Sequence, residues 1–238
     1  MNTAILLSGG VGERLKLEVP KQYIVVNDKM IITYSIQVLV NNPLISQILI
    51  VAEEKWRNSI LDDAIKNGIE VDKIKGFAQP GFNRQASIIS GMNELVAINK
   101  KYSELNDLDL ILIHDAARPL VTEKQITECI NALDGCEGVM PVLPMKDTVY
   151  FSEDGKTVHS LLKREKLFSG QAPEVFNLKK YYDINKRLLE SDLEKINGST
   201  EAAVLGGMHI TMIPGDEENF KITTKNDLER FKKIKEKK

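Results

Sequence analysis

Contiguous apolar runs recur along this chain and narrow the folds open to it. TAILLS (3–8), ISQILIVA (45–52), LDLILIHD (108–115) and EGVMPVL (137–143) lack the polar–apolar alternation of a sheet with one wet face. Strands of this kind are covered on both sides, as in a parallel sheet. Segments of helical period lie between and after them: MIITYSIQVLVNN (30–42), KWRNSILDDAIKNG (55–68), RQASIISGMNELVAINKK (84–101) and TEKQITECINALDG (122–135). In the last of these, Thr122 stands at the expected N-cap and Gly135 near the C-cap. Strand alternating with helix predicts an α/β fold, a doubly wound, mostly parallel sheet with helices on both faces.

The stretch PMKDTVYFSEDGKTVHSLLKREKLF (144–168) breaks that rhythm. Alternation around EDGK reads as a hairpin closed by a two-residue turn. A protruding β-arm is therefore predicted at about 144–168, packed on its own domain or reaching a second subunit. Helices near 178–190 and 200–207, a strand MHITMIP (208–214) and a helix from about 224 follow. There is no internal repeat and no low-complexity linker, so residues 1–238 are expected to form a single domain carrying the arm.

Charge and cysteine usage remove several classes of function. A formal net charge of −2 over 238 residues gives no global field for nucleic acid or an anionic membrane. Any phosphate chemistry must come from locally focused cations. Cys129 and Cys136 form no CxxC pair and read as buried or half-buried thiols. MNTAILLSGG has no basic leader, and no apolar run approaches the roughly 18–20 residues of a membrane span. A soluble cytoplasmic protein is expected.

In a doubly wound sheet, ligands sit beyond the carboxyl ends of the strands. Those ends are Ser8-Gly9-Gly10 and His114-Asp115, which places the site before any motif is considered. Glycines after a strand let backbone N–H groups approach an anion. There is no GxxxxGK[ST], and GxGxxG would need a glycine where Leu15 stands. Arg14 and Lys21 bring a fork-shaped and a point cation to the same loop, a pairing suited to a triphosphate, although both could also be surface charges. Pro20 pushes Val19 into extended geometry and would fix the position of Lys21.

Four further clusters complete the pattern. GFNRQASIISGM (81–92) presents Gly81, Asn83, Arg84 and Ser87 at a helix start, which suits a nucleobase or ribose, while a plain cap also accounts for Asn83. IHDAARPL (113–120) ends an apolar strand in Asp115 with Arg118 just beyond, and a buried strand rarely ends this way for packing alone. Asp115 is thus a candidate magnesium-binding or substrate-orienting carboxylate, and His114 reads as a structural histidine. Arg164 in LLKREKLFSGQAPEVF and Lys221 in GDEENFKITTKNDL are further candidate cations, Lys221 standing directly between Phe220 and Ile222. Thr223, Thr224 and Asp227 look partly like helix-start chemistry.

GG-x-G-x-R, PKQY, G-x-x-R-x-x-S, HDAARP, DT and N-x-K-I-T, in that order from Ala4 to Leu228, resemble the cytidylyltransferases of 2-C-methyl-D-erythritol 4-phosphate and ribitol 5-phosphate. The resemblance implies a Rossmann-like sheet of the nucleotidyltransferase type. It implies transfer of CMP from CTP to a polyol phosphate, such as ribitol 5-phosphate, with release of pyrophosphate. By the same resemblance, Leu7, Ser8, Gly9 and Gly10 would admit the triphosphate, with Arg14 and Lys21 stabilising the reacting α-phosphorus. Gly81, Asn83, Arg84 and Ser87 would hold cytosine and ribose, and Asp115 would sit near Mg²⁺ and the acceptor. Arg164 and Lys221 would grip the acceptor phosphate, with Arg118, Thr148, Ser199 and Thr223 on the acceptor side or at phosphates. The arm would pair two subunits into a homodimer.

Two departures fall on the acceptor side. Ala172-Pro173-Glu174 stands where methylerythritol-phosphate enzymes usually read TPQ, and lies nearer the GQTPQ of ribitol-phosphate enzymes. Ser199-Thr200-Glu201 stands where the former usually read Thr-Asp before an acidic residue. The methylerythritol-phosphate enzyme is therefore the alternative reading. A catalytically silent nucleotide-binding regulator is a more distant one.

Overall fold

The structure is a computed structural model describing residues 1–10, 19–98 and 109–236. Strand β1 (Asn2–Leu7) leads to a 3-10 turn at Lys21–Tyr23, a small hairpin of β2 (Val25–Val26) and β3 (Lys29–Met30), and helix α1 (Ile31–Asn41). Then come β4 (Gln47–Val51), α2 (Glu54–Lys66), β5 (Ile74–Ala78), α3 (Arg84–Ile98), β6 (Leu110–Asp115), α4 (Glu123–Asn131) and β7 (Gly138–Pro144). The arm strands β8 (Val149–Phe151) and β9 (Ser160–Leu162) precede β10 (Phe168–Gly170) and β11 (Glu174–Asn177). Helices α5 (Leu178–Lys186), α6 (Glu190–Leu193) and α7 (Ser199–Leu205), strand β12 (Ile210–Pro214) and helix α8 (Lys225–Glu236) close the chain.

The main sheet is mixed and mostly parallel. β6, β1, β4 and β5 run parallel in that spatial order, and β12 runs parallel to β7. β11 lies antiparallel between β6 and β7, and β10 pairs antiparallel with the far end of β7. The contiguous apolar runs are covered on both faces as predicted. Ala4 and Leu6 of β1 pack with Ile32, Ile36 and Leu39 of α1 and Ile60 of α2. Ile5, between them, faces Ile88, Met92 and Leu95 of α3 and Tyr181 of α5. This is the strand period of two, read against helices on opposite sides of one sheet.

β5 was not anticipated. Its sequence, IKGFA, is interrupted by exposed Lys75 and by Gly76, as suits an edge strand that must not pair further. The arm is present, but its closure differs from the expected two-residue turn. Phe151 pairs with Ser160, leaving residues 152–159 as the connection. Asp154 organises it: one carboxylate oxygen accepts from Lys156 N and Thr157 N, both at 2.8 Å, and the other from Thr157 Oγ1 at 2.9 Å. Four local acceptor bonds, including one from Ser152 Oγ, make the longer loop the better-satisfied one.

Candidate active site

Register places the carboxyl ends of β1 and β6 side by side, with Leu7 opposite Asp115. A cleft of about 480 Å³ opens above them. Its lining includes Leu7, Ser8, Gly9, Gly10, Lys21, Gly81, Asn83, Arg84, Ser87, Asp115, Lys221 and Thr223, twelve of the residues anticipated from sequence. Gln22, Phe82 and Ala117 line it as well. Arg14 lies outside the described residues. Thr148 and Arg164 are exposed on the arm and not on this wall, and Arg164 Nη1 donates to Lys146 O at 2.7 Å. Ser199 is fully buried behind the wall.

The glycine loop is held from below. Gln22 Nε2 donates to Ser8 O at 2.5 Å and to Gly10 O at 2.8 Å, and Tyr23 Oη donates to Ser8 O at 2.9 Å. Tyr23 is anchored by stacking on Trp56, with centroids 4.4 Å apart. The PKQY motif thus supplies Lys21 to the cleft and two residues that fix the adjoining backbone. At Gly9 a Cβ would fall 2.4 Å from Pro80 Cβ, so only glycine lets the two loops close on each other.

Charge concentrates on Asp115. Its Oδ1 accepts from Arg84 Nε at 3.2 Å, its Oδ2 from Lys221 Nζ at 2.8 Å, and Arg118 Nε lies 4.0 Å from Oδ2. Burial opposes ionisation of Asp115, but Arg84, Lys221 and Arg118 overcome it and hold the carboxyl well below the usual range. Arg84 is a bridge. Its Nη1 donates to Ser199 Oγ at 2.7 Å and its Nη2 to Glu174 Oε2 at 3.0 Å. Glu174 also accepts from Ser199 Oγ, from Thr200 N at 3.2 Å and from Thr200 Oγ1 at 2.7 Å. The two segments that depart from the motif pattern therefore touch each other, which no local pattern reveals because they lie 25 residues apart.

Several polar groups singled out from sequence serve the fold. Asn83 Oδ1 caps α3 by accepting from Ala86 N at 2.8 Å, and Asn83 Nδ2 donates to Leu193 O at 2.6 Å. Ser87 Oγ donates to Asn83 O and accepts from Gly81 N. Thr223 N and Oγ1 both donate to Asp227 Oδ2 at 2.9 Å, the expected helix-start chemistry. Arg118 Nη1 donates to Asn219 O at 2.7 Å. His114 is fully buried beside Arg118 O, and burial pushes its pKa down to about 4, in keeping with a structural histidine. Burial likewise pushes the Cys129 thiol up to about 12, while Cys136 is half-buried.

Among the described residues, no group of three or more His, Cys, Asp and Glu side chains could cage a metal. Asp115 is, among the described residues, the one carboxylate on the cleft wall, and its two oxygens accept from Arg84 and Lys221. A magnesium ion arriving on substrate phosphates would share Asp115 with those cations, so most of its ligands would be phosphate oxygens and water.

The family model described as 2-C-methyl-D-erythritol 4-phosphate cytidylyltransferase (IspD) matches residues 2–236. The 2-C-methyl-D-erythritol 4-phosphate cytidylyltransferase of Clostridium acetobutylicum is 32% identical over 231 residues, 96% of this chain and 94% of that protein. The ribitol-5-phosphate cytidylyltransferase of Lacticaseibacillus paracasei is 28% identical over 234 residues, covering 98% and 97% of the two chains. Among solved structures, 4-diphosphocytidyl-2C-methyl-D-erythritol synthase from Anaerococcus prevotii superposes with a TM-score of 0.79 at 22% identity, covering 100% of this chain and 96% of that one. The Francisella tularensis 2-C-methyl-D-erythritol 4-phosphate cytidylyltransferase gives 0.78 at 24% identity, covering 97% of each.

Proposed function

We infer the activity from one premise, that the chain belongs to the 2-C-methyl-D-erythritol 4-phosphate cytidylyltransferase family. On our reading it transfers CMP from CTP to a polyol phosphate. An acceptor phosphate oxygen attacks the α-phosphorus of CTP, the bond from that phosphorus to the bridging oxygen breaks, and pyrophosphate leaves. The observation that carries this reading is the cleft itself, where the Ser8–Gly10 backbone, Lys21, Lys221 and Asp115 converge at the carboxyl ends of β1 and β6.

Two anions must meet in this reaction. At 4 Å and an effective dielectric near 20, each pair of unit charges repels by about 4 kcal/mol. Positioning and neutralisation by fixed cations are therefore most of the catalytic work. Lys21 and Arg14 would offset charge at the α-phosphorus and on the leaving pyrophosphate. Lys221, held by Asp115, would face the acceptor phosphate. Magnesium, when bound with the nucleotide, would neutralise phosphate charge, and Asp115, shared with Lys221 and Arg84, would be its protein carboxylate.

For the acceptor we favour ribitol 5-phosphate or a similar alditol phosphate, because Ala172-Pro173-Glu174 lies nearer the ribitol-phosphate pattern. The second reading, 2-C-methyl-D-erythritol 4-phosphate, is favoured by the relatives at 30–32% identity. The test is pyrophosphate release from CTP and Mg²⁺ with the two acceptors in parallel. Turnover with the first alone assigns the alditol pathway, turnover with the second alone assigns the isoprenoid one, and silence with both rejects the pair.

We also propose a homodimer paired through the arm, whose Tyr150, Val158, Leu161 and Phe168 are exposed apolar side chains. Free Cys129 and Cys136 agree with a cytoplasmic location. No helix among the described residues is long and apolar enough to cross a membrane.

A further inference from the structure

Phe82 lines the cleft and is 61% exposed. A single exposed aromatic is ordinary on a protein surface. This one differs in its place and its support. Among the described lining residues it is the sole aromatic side chain. The turn that carries it is fixed on two sides. A Cβ on Gly81 would fall 2.5 Å from Ala86 Cβ, so the turn is pressed onto the first turn of α3, and Pro80 is pressed onto Gly9 of the glycine loop. The ring is therefore presented by rigid backbone.

The neighbouring polar side chains are committed elsewhere. Asn83 caps α3 and bonds Leu193 O, Ser87 closes on Asn83 O and Gly81 N, and Arg84 is spread over Asp115, Ser199 and Glu174. What this wall offers a flat heterocycle is backbone and the Phe82 ring. We propose that Phe82 is the stacking wall for the nucleobase of the bound nucleotide, an inference that rests on reading the cleft as the CTP site. Stacking on an aromatic ring is indifferent to which base is stacked. Phe82 thus supplies affinity for a base without selecting among bases.

The experiment titrates CTP and, separately, inorganic tripolyphosphate into wild-type protein, Phe82→Ala and Phe82→Tyr by calorimetry with Mg²⁺ present. Phe82→Ala should raise the Kd for CTP about tenfold and leave that for tripolyphosphate within twofold, with Phe82→Tyr close to wild type for both. Unchanged CTP binding in Phe82→Ala would overturn the proposal. So would an equal loss for both ligands, which would make Phe82 a prop for its loop. Wild-type protein that binds tripolyphosphate as tightly as CTP would overturn the CTP reading itself.

Discussion

Lys221 Nζ lies 2.8 Å from Asp115 Oδ2 across 106 residues of sequence, and the two sit very differently in the protein. The Asp115 side chain is 11% exposed and that of Lys221 35% exposed. Removing the buried partner strands charge, whereas removing the lysine leaves Asp115 with Arg84. Asp115→Ala should therefore cost about 3 kcal/mol in urea unfolding. Lys221→Ala should cost under about 1.5 kcal/mol there, yet lower kcat/KM for the acceptor about 100-fold. Equal stability losses for the two variants would contradict this division of labour.

Lys21→Ala and Arg14→Ala each remove a cation assigned to the reacting phosphates. We expect about 3–4 kcal/mol less transition-state stabilisation for either, read as roughly 10²–10³ in kcat/KM with folding intact by circular dichroism. A loss below tenfold for both would remove the glycine loop from the chemistry.

Gly9→Ala forces a methyl into Pro80, where the nearest approach would be 2.4 Å. The loops must part, and the nucleotide wall parts with them. The KM for CTP should rise at least tenfold while the KM for the acceptor changes less than threefold. A matched rise in both would show a general distortion instead.

His114 gives the protein a pH limit. Burial lowers its folded-state pKa from 6.5 to about 4, with Asp115 and the hydrogen bond to the Arg118 carbonyl opposing the shift and the Arg118 and Arg84 charges adding to it. The unfolded chain then binds the extra proton between those values, so this stability is complete above pH 6.5 and is lost as pH falls toward 4. About 3 kcal/mol should disappear over that window. His114→Asn should flatten the profile between pH 6.5 and 4.5 in thermal unfolding, whatever its absolute Tm. A wild-type Tm that is level across the window would refute the assignment.

The arm tests the quaternary proposal. Leu161 is 64% exposed and Tyr150 59% exposed, on paired strands in register. Placing Glu at both should convert a dimer to a monomer in sedimentation at micromolar concentration. If wild-type protein already sediments as a monomer, the proposed interface is wrong.

Sequence carried the architecture where apolar runs were long and the cleft where strand ends met glycines and Asp115. It lost β5 because Lys75 and Gly76 interrupt its pattern, and it could not place the short β11 between β6 and β7, since order along a chain does not give neighbours in a sheet. Arg84 shows the same limit at the site. Its acceptors lie 31, 90 and 115 positions away, so a residue that looked suited to binding a nucleotide is tied to three distant partners. The arm's turn departs from the two-residue reading because Asp154 satisfies its donors from within a longer loop.

The junction at Glu174 restricts how this protein can change over generations. Its carboxylate takes up donors from Arg84, Ser199 and Thr200 at once. A neutral residue there would leave Arg84 undercompensated, and an acidic residue at 199 or 200 would set two carboxylates face to face. Either step alone passes through a less stable protein, while both together exchange one balanced arrangement for another. Positions 174, 199 and 200 should therefore be inherited as a block, and a library aimed at a new acceptor will find folded variants more often by randomising the three together than by scanning them singly.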